Sequence, residues 1–149
     1  MLPLTFIRLP PSQRRLLEHF YRQHGSRMRA AGEGEQWVAR TTEIIGGMNL
    51  RPIGGDHWLT GLFVAPQWRG QQIASRLIDA ALAESNAATW LFCHPDLAPF
   101  YQRLAFTPTT TLPEALASRL ARYQRSKALL AMRRGQSSAT SSPGNSTSV

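Results

Sequence analysis

Apolar residues recur at Leu16, Leu17, Phe20 and Tyr21 within QRRLLEHFYRQH, a helical spacing that Gly25 should terminate. The preceding TFIRL, residues 5–9, reads as a strand, and Pro10, Pro11 and Ser12 lead from it into the helix. The basic, glycine-containing SRMRAAGEGE that follows predicts a loop with a short helical piece. QWVART (36–41), EIIGGMNLRP (43–52) and HWLTGLFV (57–64) are then three strands, the last two joined as a hairpin by Gly54-Gly55. Residues 73–85 form the clearest helix, with Ile73, Leu77, Ala80, Ala81 and Glu84 in register and Ile78 and Leu82 widening the apolar face. TWLFC (89–93) predicts a short buried strand, 97–104 and 113–126 predict helices, and LLAMR (129–133) predicts a closing strand. Strands and helices in this order make a mixed α/β domain.

Composition narrows this pattern without changing it. A chain of 149 residues with 42% hydrophobic content suits one domain with a full core. No run reaches the roughly 18 apolar residues of a membrane span, and MLPLTFIRLPPSQRR lacks the form of a signal peptide. The single cysteine, Cys93, excludes an internal disulfide and fits a reducing cytoplasm. GQSSATSSPGNSTSV, from residue 135 to 149, carries no charge and little apolar surface, so a disordered tail is expected after a folded domain of residues 1–134. The net charge is +8, and all but one of the seventeen basic residues are arginine. Guanidinium groups grip phosphates and carboxylates, so anionic partners or an arginine-rich composition both account for it.

Two stretches could carry chemistry. VAPQWRGQQIAS (64–75) passes from strand to turn to helix, which aims unpaired backbone N–H groups at one spot. Gly70 permits a tight turn there and Arg69 can add a cation. APFYQRLAF (98–106) places Tyr101 in a short helix among Phe100 and Phe106, where a buried aromatic cluster is the plainer reading for a tyrosine by itself.

Taken together, LFVAP with Leu62, Val64 and Pro66, then Arg69-Gly70 with residues 71–75, then YQRLAF, resemble the GCN5-related N-acetyltransferase (GNAT) superfamily. The element order agrees over roughly residues 3–134, and the motifs lie between about 60 and 106. The resemblance implies a mostly antiparallel central sheet of six to seven strands, flanked by about four helices and splayed after the fourth strand beyond Cys93. It implies an N-acetyltransferase that moves an acetyl group from acetyl-CoA directly to a small-molecule or peptide amine. It further implies that Arg69, Gly70, Gln71, Gln72, Ile73, Ala74 and Ser75 cradle the pyrophosphate through backbone amides. The family loop has glycine where Gln72 stands. A helical, negative φ would hold glutamine there without strain, and that conformation is the expected one. A backbone N–H at Phe63 or Val64 would polarise the thioester carbonyl, so side-chain identity there is expected to matter little. His94 falls where relatives carry an asparagine that bonds the pantetheine arm. Tyr101 matches the tyrosine that protonates the leaving thiolate. A phenol of pKa about 10 is a slightly weak acid for a thiolate of about 8.5, a gap of roughly 2 kcal/mol.

The general base is open among Glu43, Asp56, His57, His94 and a water relay. Cys93 reads as a core thiol. His19, His24, His57 and His94 show no metal-ligand spacing, so no metal is expected. GMNLRPIGG lacks the spaced glycines of a dinucleotide fingerprint. Trp37, Trp58, Trp68 and Trp90 read as core or rim aromatics, with Trp58 or Trp68 the candidates to line an acceptor site. Arg14, Arg15, Arg22 and Arg29 lean weakly toward an acidic acceptor. Assembly as a homodimer is left open. The competing reading is a non-catalytic nucleic-acid-binding or regulatory domain on a degenerate acetyltransferase fold. No basic stripe interleaved with aromatics supports it, so nucleic acid is not the expected partner.

Overall fold

A computed structural model of the chain describes residues 3–30, 33–83 and 85–135. Beyond Gly135, the tail expected from the sequence lies outside the described residues, as does Glu84 of the predicted apolar face. The elements follow in the order β1 (Thr5–Leu9), α1 (Arg14–Gln23), β2 (Glu35–Arg40), β3 (Ile44–Ile53), β4 (Asp56–Val64), α2 (Ile73–Leu82), β5 (Thr89–Cys93), α3 (Ala98–Gln102), β6 (Thr107–Thr109), α4 (Glu114–Tyr123) and β7 (Leu130–Arg134). Short 3-10 turns at Pro11–Gln13, Pro66–Trp68 and Pro95–Leu97 each begin at a proline and lead toward a helix. The strands are hydrogen-bonded in the order β1-β2-β3-β4-β5-β7-β6. Where pairs are registered, the β4–β5 pair is parallel and the others are antiparallel. Among the described residues no helix is long and apolar enough to cross a membrane.

The elements fall into two compact units, Met1–Gly54 with Leu59–Ser85, and Gly55–Trp58 with Asn86–Val149. In the first, neighbouring residues of one strand point to opposite faces. Val38 joins Leu9, Leu17, Phe20, Tyr21 and Ala65 under α1, and Ala39 joins Ile45 and Ile73 under α2. With both faces covered, β3 is buried continuously from Ile45 to Leu50 rather than in alternation. Leu16, counted in the helical pattern, is 44% exposed. No helical piece forms in residues 26–30. That stretch is tied down instead by polar contacts: Ser26 N–H to Tyr21 O at 2.9 Å, Ala30 N–H to Glu18 Oε2 at 3.3 Å, and Asn49 Nδ2 to Arg29 O at 2.9 Å.

In the second unit β7 lies between β5 and β6, registered from Thr89↔Arg134 to Cys93↔Leu130 on one side and from Thr107↔Arg133 to Thr109↔Ala131 on the other. The chain's closing strand is therefore interior, and Ala131 and Met132 are buried. The parallel pair is registered at His57↔Thr89 and Trp58↔Trp90, while β4 continues to Val64. Asp56 fastens that pairing, because its carboxylate accepts from Ala88 N–H at 3.1 Å and from Trp90 Nε1–H at 3.4 Å. The fourth helix buries only Leu116, and Arg119 lays its guanidinium 4.4 Å from the centre of the Trp58 ring.

Candidate active site

The proposed cradle begins where β4 ends. Pro66–Trp68 makes one 3-10 turn, Arg69 is extended, Gly70 has φ +81°, and the second helix starts at Ile73. Its first main-chain acceptor is Gln72 O, bonded by Arg76 N–H at 3.0 Å, so the N–H groups of Ile73, Ala74 and Ser75 have no acceptor within the helix. Gly70 has open space where a Cβ would stand. Gln71 and Gln72 are exposed.

Gln72 corrects the expectation from sequence. Its φ is +61° and its ψ 27°, the left-handed conformation, and its side chain makes no capping hydrogen bond. The chain must reverse direction between an extended Arg69 and a helical Ile73, and two left-handed residues, Gly70 and Gln72, accomplish it. A non-glycine residue there costs about 1–2 kcal/mol. Gln72→Gly removes that strain but frees the unfolded chain, so the net gain should be about 0.5–1 kcal/mol. A rise in Tm of about 1–4 °C in thermal denaturation is the expected result. A fall in Tm would show that the glutamine side chain itself supports the loop.

Arg69 is not a free cation. Its Nε donates to Val64 O at 2.9 Å, and its guanidinium lies 5.1 Å from the Phe63 ring centre. Phe63 in turn packs on Phe20 at 5.8 Å and His24 at 5.9 Å. The side chain of Phe63 thus packs against the arginine. The main chain of β4 is shaped two residues earlier. Gly61 has φ +68° inside the strand, and its carbonyl accepts from Tyr21 Oη at 2.6 Å. Burial, with a smaller contribution from Glu18, raises the Tyr21 phenol above its usual range, so the donor proton stays in place. Gln36 Nε2 donates to Asn49 Oδ1 at 3.4 Å in the same polar cluster. A glycine within an otherwise apolar strand, and an asparagine in the middle of another, were the signals that could have located this cluster.

In the second unit, Tyr101 stands edge-on to Phe100 at 5.0 Å and to Phe106 at 6.0 Å. Burial, with a smaller contribution from Cys93, pushes its phenol up to about 12. Cys93 is buried with its Sγ 3.6 Å from Met132 Sδ, and burial raises its thiol as well, which suits a core residue rather than a nucleophile. His94 is exposed, and its Nδ1 accepts from Asp96 N–H at 3.0 Å. That bond leaves Nε2 to carry the proton of the neutral ring, so His94 can donate outward.

The family model described as Acetyltransferase (GNAT) domain matches residues 32–108, more than half of the chain. The chain belongs to the GNAT acetyltransferase family. Solved structures share this acetyltransferase fold across nearly their whole length. The ribosomal-protein-S18-alanine N-acetyltransferase of Escherichia coli superposes with a TM-score of 0.68 at 15% identity, covering 93% of this chain and 97% of its own. A GNAT-family acetyltransferase from Staphylococcus aureus Mu50 gives 0.65 at 16% identity, with 89% and 98% covered. Arabidopsis thaliana Naa50, in complex with the bisubstrate analogue CoA-Ac-MVNAL, gives 0.62 at 13% identity, with 89% and 99% covered. Among curated proteins no sequence matches.

The four residues that the sequence left open as a base take different places in the structure. Asp56 is committed to Ala88 and Trp90, and His94 to Asp96. His57 lies in the registered start of β4. Glu43, by contrast, lines a pocket of about 220 Å³ within the first unit, together with Gln23, His24, Thr41, Gln67 and Trp68. His24 was not among the sequence candidates. It sits just past the end of α1, its ring 4.9 Å from Phe20.

Proposed function

We propose that this GNAT chain transfers an acetyl group from acetyl-CoA directly to an amine. The observation that carries this is the loop from Arg69 to Ser75, in which Gly70 and Gln72 turn the main chain so that the first amides of α2 lack helical acceptors. This donor set fits a diphosphate: backbone N–H groups at the positive end of a helix, one guanidinium fixed by Phe63 and Val64, and no carboxylate between Pro66 and Arg76. Acetyl-CoA would supply the activated acyl carbon and a thiol leaving group. A main-chain N–H at Phe63 or Val64 would stabilise charge on the carbonyl oxygen, a contribution of about 3 kcal/mol for such donors. The Ala65 N–H is already given to Ile45 O at 2.8 Å and is not that donor. His94 Nε2 would bond the pantetheine arm, and Tyr101 Oη would hold the proton that the departing sulfur takes. The single thiol, buried and unpaired, agrees with a cytoplasmic setting.

Isothermal titration of the full chain with acetyl-CoA tests the reading. Binding in the micromolar range is expected, weakened about tenfold in Arg69→Ala, a loss in line with one charge-assisted hydrogen bond. Absence of binding by folded protein, with salt-sensitive binding of an oligonucleotide, would replace it with the non-catalytic nucleic-acid-binding reading.

A further inference from the structure

We infer that the pocket beside Glu43 holds a cationic group of the acceptor, with the Glu43 carboxylate as its counter-ion; this rests on the acetyltransferase reading above. The chain carries seventeen basic residues against nine acidic ones, yet no arginine or lysine lines this pocket, and one acidic residue, Glu43, does. An anionic group entering it would face Glu43 without a cation to pair with. A cationic group would lie among Glu43, Thr41, Gln23, Gln67 and Trp68, residue types that offer oxygen acceptors and an aromatic ring. Its volume of about 220 Å³ leaves room for an amine head group and a few methylenes.

The pocket also adjoins the transfer machinery within one unit. Ala65 and Trp68, both in its wall, immediately follow Val64 and immediately precede Arg69. The His24 ring reaches to 5.9 Å from Phe63. An amine paired with Glu43 keeps its proton and is no nucleophile, so the nitrogen that is acetylated must be a second one. The acceptor is therefore a small molecule with two amino groups, one acetylated and one held as ammonium. This turns around the acidic acceptor suggested by Arg14, Arg15, Arg22 and Arg29, none of which lines the pocket.

Acetyl transfer and direct binding are measured with 1,4-diaminobutane and with 4-aminobutanoate, which has the same chain with an anionic end. The diamine is expected to be the better substrate. Because Glu43 is exposed, Glu43→Gln should raise the diamine KM only about fivefold, with kcat and the acetyl-CoA Kd held, and the effect should shrink as salt rises. Glu43→Lys should shift preference to 4-aminobutanoate. A preference of the unmodified chain for 4-aminobutanoate, or a fall in kcat at constant KM in Glu43→Gln, overturns the counter-ion role. If acetyl-CoA does not bind while titrated 1,4-diaminobutane gives heat that Glu43→Gln diminishes, the transferase reading fails and the pocket stands. Acetyl transfer that is indifferent to both Glu43 variants overturns the pocket alone.

Discussion

Tyr101→Phe is expected to lower kcat about a hundredfold while the acetyl-CoA Kd stays within about twofold, the signature of a proton donor used only in the transition state. The phenol of Tyr101 sits at about 12, pushed there mainly by burial among Phe100 and Phe106. Against a thiol near 8.5 that is a gap of about 3.5 units, or roughly 5 kcal/mol, wider than an ordinary tyrosine would present. The same apolar surroundings narrow it again, because they disfavour a thiolate as they disfavour a phenolate; Cys93, in the same unit, is raised for that reason. Burial has a second consequence. The Tyr101 proton stays on through the range where an ordinary phenol would lose it, so kcat should show no fall from this group below about pH 11. Steady-state rates of Tyr101→Phe, and a pH profile of the unmodified enzyme, check both statements. An unchanged kcat would remove Tyr101 from the chemistry.

The largest effect on stability is expected at Gly61. A Cβ there would stand 2.7 Å from Asn49 Nδ2 and 2.9 Å from Tyr21 Oη, both on wholly buried side chains with little room to swing away. The backbone already sits at φ +68°, which costs any other residue about 1–2 kcal/mol, and the Tyr21 bond to the Gly61 carbonyl is worth about 1 kcal/mol more. Gly61→Ala should therefore cost about 3 kcal/mol and lower Tm by about 6–12 °C. Gly55→Ala, at a site with open space around the missing Cβ, serves as the near-neutral control. A drop of under about 2 °C for Gly61→Ala would mean that β4 can continue through this point without the break.

Element type was legible because burial imposes a period on the chain. Leu17, Phe20 and Tyr21 fall on one side of α1, and β1 and β5 run over the residues that their apolar patterns indicated. The family was legible for a different reason: Arg69-Gly70 and Tyr101 occur in the family's order and separation, and the family match over residues 32–108 agrees. The seven-stranded, mostly antiparallel sheet with four helices agrees as well. Local sequence was a poorer guide to ends and irregular stretches. Residues 26–30 stay non-helical because distant partners, Glu18 and Asn49, take their backbone groups.

By itself, then, the sequence determined the succession of strands and helices, the family, and where the turn from β4 into the second helix would begin, since each depends on neighbours along the chain. Tertiary structure decided the rest. The left-handed turn at Gln72 is imposed by the directions of β4 and the second helix, and no local preference of glutamine asks for it. The pocket at Glu43 gathers residues from the end of α1, the β2–β3 turn and the segment just after β4, which only folding brings together. Arg69 is aimed by Phe63, six residues earlier and on a different element. Periodicity reports which face of an element is buried, but conformational strain and pocket chemistry depend on what lies across that face.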